Sequence, residues 1–210
     1  MIPFGDDNSK NVTTPVVTYA LLLLNVCVFL LEMNLGEPFI LKWSFVPSRF
    51  LEAPLANTPT IFTAMFMHAG LAHIVGNMLY LWIFGDNVEE RLGKVRFLLF
   101  YLFCGIAATF AQLAIDPSST LPNLGASGAI AGVLGAYLKL FPHQKVKVLV
   151  GRVVTEMPAL VVIGFWFLLQ FVGTVGALQS TQEGGGVAYM AHVGGFLAGL
   201  LVALFVRAPK

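Results

Sequence analysis

Six apolar stretches dominate this chain and limit what it can fold into. They contain no Asp, Glu, Lys or Arg apart from Lys139, and they cover residues 16–31, 71–84, 97–113, 126–141, 157–176 and 189–206. The 210 residues are 57% hydrophobic and 11% charged, with a mean hydropathy of +0.81, which is far from the values of soluble domains. A span needs about 20 apolar residues, so several of these helices are short and their ends can lie below the lipid surface. The sequence therefore predicts an all-α membrane protein with six transmembrane helices.

The basic residues predict how the chain is oriented. If the N-terminus is cytoplasmic, ten of the twelve Lys and Arg residues fall on the cytoplasmic side, and only Lys42 and Arg49 fall outside. Cytoplasmic loops of membrane proteins are enriched in these residues. We therefore expect both termini in the cytoplasm, with a cytoplasmic segment 1–15, a membrane domain 16–206 and a tail 207–210, in a cell membrane. The net charge of +1 gives no sign of a nucleic-acid partner.

The connections between the apolar stretches have distinct compositions. Residues 32–67 form a long, aromatic-rich outer loop that we expect to lie on or partly in the bilayer, either as an ordinary aromatic belt or with a direct part in the chemistry. Residues 85–93 are charged and predict a cytoplasmic turn. Residues 177–187 end in three glycines, which predicts either a mobile cover over the site or a merely flexible connection. With no strand pattern evident, a single helical domain is expected.

Four polar side chains are predicted to lie at one depth in the membrane. In this topology the second, fourth and sixth helices all run from outside to inside, which places four residues near the outer ends: His73, Asn77, Ser127 and His192. Polar groups inside a membrane are costly unless they are paired or used. A meeting of the three helix ends would therefore form a polar site below the outer surface.

Small residues indicate which helix faces pack together. His192 shares a stripe with Gly195 and Gly199, and Ser127 shares a face with Gly128 and Gly132. Small residues let two helix backbones approach closely, so packing these faces would bring the Ser127 hydroxyl towards the His192 ring. Taken singly, such a serine is usually an interhelical hydrogen-bonding group and such a histidine a bundle or proton-relay residue.

Together these residues suggest nucleophilic catalysis. Serine needs an adjacent base, and His192 is the titratable side chain placed to take its proton. No carboxylate lies in the outer halves of these helices, so the prediction is a dyad of Ser127 and His192. Oxyanion donors are expected from the side chains of His73 and Asn77 and from the backbone N–H groups at Ala126 and Ser127.

These residues resemble those of the rhomboid family of intramembrane serine proteases. The likeness extends from about residue 16 to the C-terminus and is carried by His68, His73, Asn77, the run Glu90-Arg91-Leu92-Gly93, the run Gly125-Ala126-Ser127-Gly128, Ala191, His192, Gly195 and Gly199. It implies a six-helix rhomboid-like bundle in which Ser127 is the nucleophile, His192 its base, and His73 and Asn77 line the oxyanion hole. It also implies single-span membrane proteins as substrates, cut near the outer end of a helix that unwinds easily, with small residues favoured at the scissile bond. Neither a cofactor nor a metal is expected.

The sequence departs from the family pattern at two places, and two rival functions stand beside the protease hypothesis. Ala131 stands where some members carry a tyrosine that packs against the histidine, so the resemblance leaves open how His192 is held. The outer loop also lacks the Trp-Arg pair of many members. One rival is a metal site built from His68, His73 and His192, although His-Glu-x-x-His spacing is absent. The other is a transporter or chaperone-like membrane binder with a polar interior. The oligomeric state is left open.

Overall fold

The structure is a helical body with a small sheet at one end. It is a computed structural model, and it describes residues 1–8, 11–179 and 188–206. The helices are α1 (Val16–Leu35), α2 (Glu37–Trp43), α3 (Pro47–Glu52), α4 (Pro54–Thr63), a 3₁₀ turn (Ala64–Phe66), α5 (Leu71–Leu92), α6 (Lys94–Ile115), α7 (Ser127–Leu140), α8 (Ala159–Gln179) and α9 (Tyr189–Leu204). The strands are β1 (Ile2–Asp6), β2 (Lys145–Val150) and β3 (Val153–Pro158).

Each predicted apolar stretch is helical over most of its length. By length and composition α1 and α6 could each cross a membrane, and α4 with its 3₁₀ turn qualifies only jointly with α5, from which it is bent by 77°. The other apolar helices have shorter apolar segments, which are Ser127–Leu140 of α7, Ala159–Val175 of α8 and Tyr189–Leu204 of α9. The prediction of a mostly helical membrane fold is confirmed, whereas the count of six spans stays a prediction.

Helix α7 lies at the centre of the body and is buried along almost its whole length. It packs against α9 through glycines that face each other. A Cβ added at Gly195 would lie 2.0 Å from the Gly128 carbonyl oxygen, and one at Gly199 would lie 1.9 Å from that of Gly132. The two backbones are therefore in direct contact, as the small-residue faces predict, and no larger residue fits at Gly195 or Gly199.

The three-stranded antiparallel sheet corrects the expectation of an all-α chain without strands. β2 is the central strand; Asp6 of β1 pairs with its Val146, and β3 forms a hairpin with it. Val146 and Val148 are fully buried in the main core, whereas Lys145 and Lys147, which alternate with them, are exposed. This alternation, apolar side chains inward and basic ones outward, is what stabilises a strand with one buried face.

The predicted turn over residues 85–93 is also wrong, because α5 continues as a helix to Leu92. Its charged end is buried: Asn87 and Glu89 are each only 2% exposed and bond to the N-terminal part of the chain. These partners remove the cost of burying polar groups, so the helix can extend past its apolar part.

The long loop after α1 consists largely of the short helices α2 to α4. Two of its aromatic residues, Phe45 and Phe50, are buried against Met65 and Leu113 and do not serve as exposed anchors. Contact of this segment with lipid stays a prediction. The glycine-rich run at 184–186, predicted to form a cover, lies outside the described residues.

Candidate active site

The predicted serine and histidine are in hydrogen-bonding contact. His192 Nε2 lies 2.8 Å from Ser127 Oγ. Ser127 is the first residue of α7, and His192 lies in the first turn of α9 and is 8% exposed. An imidazole nitrogen at this distance can accept the hydroxyl proton, which is the arrangement that activates a serine.

The chain just before Ser127 is held in place by the segment that follows α1. Phe45 and Asn123 exchange two backbone hydrogen bonds of 3.1 and 2.7 Å, and the Gly125 N–H donates to the Ala64 carbonyl at 2.9 Å. Ala126 then precedes the helix as its cap residue, and it is fully buried. The backbone N–H groups in the first turn of a helix have no partner within the helix, and among the described residues no side chain caps the start of α7.

His73 lies beside the nucleophile with one ring nitrogen available as a donor. Its Nδ1 accepts the Ala69 N–H at 3.3 Å, so a neutral ring carries its proton on Nε2. That side of the ring lies against Gly125, where an added Cβ would be only 2.9 Å from Nε2. Gly125 also has a φ of 134°, so both its conformation and the nearness of His73 require glycine here.

Asn77 lies one turn further along α5 and is 8% exposed. Its Nδ2 has no hydrogen-bond partner in the described part of the chain. His73, Asn77, Ser127 and His192 all line one open cavity of about 930 Å³. The structure thus brings together around one cavity the four side chains predicted from the sequence, two of which, His73 and Asn77, can donate a hydrogen bond.

Two further residues at the site were not predicted, and both lie on α8. Gln170 Oε1 is 2.7 Å from His192 Nδ1, and the rings of Trp166 and His192 are 5.8 Å apart, inclined at 39°. The sequence search considered only acidic partners for the histidine. Gln170 could have been found as an amide within an otherwise apolar stretch, with Trp166 one turn earlier on the same face.

His68 is close to His73 but away from the serine contact. The two rings meet edge to face with centroids 5.1 Å apart, and the His68 N–H donates to the Glu32 carboxylate at 3.0 Å. Within the described residues, no group of three or more His, Cys, Asp and Glu side chains is arranged to hold a metal ion.

Comparison with known proteins identifies close sequence similarity over most of the chain. The family model described as the Rhomboid domain matches residues 56–209. The chain is 32% identical over 197 residues to Rhomboid protein 1, mitochondrial, of Saccharomyces cerevisiae, covering 90% of this chain and 53% of that protein. It is 30% identical over 203 residues to Rhomboid protease GluP of Bacillus subtilis, covering 93% of this chain and 36% of that protein.

A third relative is similar in size to this chain. It is Putative rhomboid protease YdcA of Bacillus subtilis, 28% identical over 200 residues that cover 93% of this chain and 90% of that protein. The chain therefore spans about half or less of the first two relatives and nine-tenths of the third.

Proposed function

The chain belongs to the rhomboid family, and we propose that it is an active intramembrane serine endopeptidase. A rhomboid chain with these apolar helices is an integral membrane protein. One observation above all supports the activity: the approach of His192 Nε2 to within 2.8 Å of Ser127 Oγ, on the wall of an open cavity. Two of the relatives are named as rhomboid proteases, one of them as a putative one, which supports the same conclusion.

In the first step of the proposed reaction, Ser127 Oγ attacks the carbonyl carbon of the scissile peptide bond. His192 Nε2 takes the hydroxyl proton as the new C–O bond forms. The tetrahedral intermediate then collapses, the C–N bond breaks, and His192 returns the proton to the leaving amine. An acyl group remains on Ser127.

The negative oxygen of that intermediate needs donors that are already in place. Asn77 and His73 line the cavity; Asn77 Nδ2 is buried with no partner among the described residues, and a neutral His73 ring carries its proton on Nε2. The backbone N–H groups at Ala126 and Ser127 lie at the helix start, where they lack partners within the helix. Each preorganised donor of this kind lowers the barrier by roughly 3 kcal/mol. We assign these four groups to the oxyanion hole.

Release of the acyl group requires water within an apolar protein. The site cavity is open, and a second cavity of about 50 Å³ also borders Ser127 and is lined in part by Gln112. Polar groups surrounded by protein can hold water at this depth, as they could not if they faced lipid. His192 would activate the attacking water in the way that it activates the serine.

The proposed substrates are transmembrane segments of other proteins. A helix keeps its carbonyl groups hydrogen-bonded, so a segment that unwinds readily presents a peptide bond more easily. We also propose that the chain spans a cell membrane six times and has both termini in the cytoplasm, so that the site opens to the outer side. The charge distribution supports this orientation.

The decisive experiment compares variants with a fluorescent single-span reporter substrate in detergent and in liposomes. Ser127→Ala and His192→Ala should abolish cleavage, while Ser118→Ala, which changes an exposed serine on a loop, should cleave like the wild type. A fluorophosphonate should label the wild type on Ser127. Cleavage by Ser127→Ala at the wild-type rate would reject the proposal.

The same assay separates the rival functions. A metal site at His68, His73 and His192 predicts that a chelator stops cleavage, whereas a serine enzyme is indifferent to it. A transporter or membrane binder predicts that Ser127→Ala leaves function intact. The described fold favours neither, because its polar side chains converge on a hydroxyl in contact with an imidazole.

A further inference from the structure

The second ring nitrogen of His192 has its own partner on a different helix. His192 Nδ1 lies 2.7 Å from Gln170 Oε1, while Nε2 of the same ring faces Ser127 Oγ. We propose that Gln170 is a positioning residue that holds His192 in the one tautomer able to activate Ser127. This inference rests on the proposed function and extends it from a dyad to a neutral Ser127–His192–Gln170 triad.

The direction of the hydrogen bonds follows from the atoms involved. The Gln170 oxygen can only accept, so Nδ1 of a neutral imidazole must carry the proton and donate it. Nε2 is then left with its lone pair towards Ser127, as a general base requires. In the opposite tautomer Nε2 would donate to the serine oxygen and could not take its proton.

A neutral amide suits this position better than a carboxylate would. His192 is buried among apolar helices, where an unpaired charge is costly. An amide oxygen orients the ring and accepts its proton without placing a charge there before the reaction begins. Cysteine proteases that use Cys, His and Asn show that an amide can fill the third position.

Contacts between α8 and α9 fix the positions of Gln170 and the His192 ring. Trp166, one turn before Gln170, packs against the imidazole and also lies 6.4 Å from the Phe196 ring. On the next turn, an added Cβ at Gly173 would lie 2.5 Å from the Tyr189 ring, so α8 and α9 approach closely there. Helix α8 thus supplies both the acceptor and the aromatic wall, which answers how His192 is held although Ala131 offers no ring to pack against.

The test uses two single variants, in which Gln170 is replaced by a residue of similar length. Gln170→Met keeps the volume and replaces the amide oxygen with a thioether sulfur, a much weaker acceptor. We therefore expect kcat to fall by roughly 10²-fold with KM nearly unchanged, since substrate binding is not altered. Gln170→Glu keeps the acceptor and should retain kcat within a few fold. Its carboxylate stabilises the imidazolium, so the acid limb of its kcat–pH profile should move to higher pH by about one unit.

A control variant and a spectroscopic measurement complete the design. Thr174→Val changes a buried polar residue one turn away that bonds to the Gln170 backbone carbonyl, and it should leave the pH profile in place. In ¹⁵N spectra of the labelled His192 ring, the wild type should carry its proton on Nδ1, and Gln170→Met should shift towards a mixture of tautomers.

The outcomes distinguish this inference from the proposed function. If Ser127→Ala is inactive but Gln170→Met matches the wild type in kcat and in ¹⁵N shifts, the positioning role is wrong and the protease remains. If Gln170→Met and Gln170→Glu lose activity equally, with no movement of the pH limb, Gln170 has only a structural role. If Ser127→Ala is active, the proposed function itself fails.

Discussion

Two clusters of buried polar groups lie at opposite ends of α7, and they are built differently. The Ser127 cluster is defined by the uncharged side chains of Ser127, His192, Gln170, His73 and Asn77. Four of them line a cavity of about 930 Å³, and the fifth, Gln170, bonds to His192. It leaves the Asn77 donor without a partner among the described residues. Part of its hydrogen-bonding capacity is therefore not used by the described residues.

The cluster at the other end, here called the Glu89 cluster, consists of Glu89, Thr18, Asp6, Asn87 and Tyr137. It contains carboxylates, and most of its polar groups are hydrogen-bonded to one another. Glu89 Oε1 accepts the Val17 N–H at 2.9 Å, and Oε2 accepts the N–H and hydroxyl of Thr18 at 2.7 and 2.8 Å. Asp6 Oδ2 accepts from the Tyr137 hydroxyl at 2.6 Å and from Asn87 Nδ2 at 2.7 Å. A carboxylate that takes up the unpaired N–H groups of a helix start stabilises that helix.

The difference separates a structural cluster from a reactive one. In the Glu89 cluster, hydrogen-bond partners within the protein compensate the cost of burying polar groups, and the result is stability. In the Ser127 cluster, the proposed function requires donors that stay free for a charge that forms only during the reaction. Variants at the two ends should therefore change different measured quantities.

The largest combined effect, on activity and on stability together, is expected from Gly195→Ala, which would force α9 away from α7 beside the Ser127 cluster. The new Cβ would lie 2.0 Å from the Gly128 carbonyl oxygen, so the helices must separate and the Ser127 to His192 contact must lengthen. A displacement near 1 Å costs about 10²-fold in rate, and the melting temperature should fall as well. Gly164→Ala on α8, where an added Cβ meets nothing within 4 Å, is the matched control. Wild-type cleavage by Gly195→Ala would show that the close approach is not needed.

Removing the free donor at Asn77 should affect the reaction alone. Asn77→Ala is expected to lower kcat by roughly 10²-fold to 10³-fold, with little change in KM or melting temperature. Asn77→Asp keeps the shape but replaces the NH₂ group with oxygen, and it should lose as much activity. Steady-state kinetics with the reporter substrate measure both, and full activity in the two variants would remove Asn77 from the oxyanion hole.

Glu89→Ala should do the reverse and lower stability without changing the chemistry. It leaves three donors at the start of α1 unpaired in a buried position, at a cost of about 3 kcal/mol. Thermal unfolding followed by tryptophan fluorescence should show a lower melting temperature, while kcat per folded molecule stays the same. Glu156→Ala breaks only the exposed pair with Lys145 and should change stability by less than about 1 kcal/mol. A loss of kcat equal to that of Asn77→Ala would contradict the division between the clusters.

The narrowest effect is a pH dependence at Asp6, which is confined to one part of the stability profile. Burial raises the pKa of the Asp6 carboxyl from 3.8 to about 7, against the opposing effect of the Tyr137 hydrogen bond, and Asp86 and Asp7 raise it further. A carboxyl with a raised pKa in the folded state stabilises the fold most below its unfolded value, and that contribution is lost as the pH rises from about 4 to about 7. Asp6→Asn should flatten this part of the stability profile. Melting temperatures between pH 4 and 8 provide the check, and an unchanged slope in the variant would assign the dependence to another group.

Much of the fold could be predicted because composition and periodicity are local properties. The apolar stretches are helical where expected, and the glycine faces of α7 and α9 meet as the small-residue spacing at Gly128 and Gly195 indicates. The strands were missed because Lys145 and Lys147 were counted only as charges of a cytoplasmic loop. Their alternation with Val146 and Val148 is the period-two signal that predicts a strand with one buried face.

Other features depend on partners far away in the chain. The charged end of α5 is helical because Glu89 bonds to Thr18, a residue 71 positions earlier. Gln170 contacts the site because α8 packs beside α9, which carries His192, although the two residues are 22 positions apart in the sequence. No local pattern indicates that either side chain will find its acceptor or donor.

The sequence by itself determined the class of protein, the helical segments and the residues Ser127, His192, His73 and Asn77 as candidates, because apolar runs, small-residue spacing and isolated polar groups are visible along the chain. The tertiary structure alone decided which nitrogen of His192 faces the serine, what holds the other nitrogen, and which donors remain free. Hydrogen bonds depend on distances of a few tenths of an ångström and on direction. These are set when helices distant in sequence pack together.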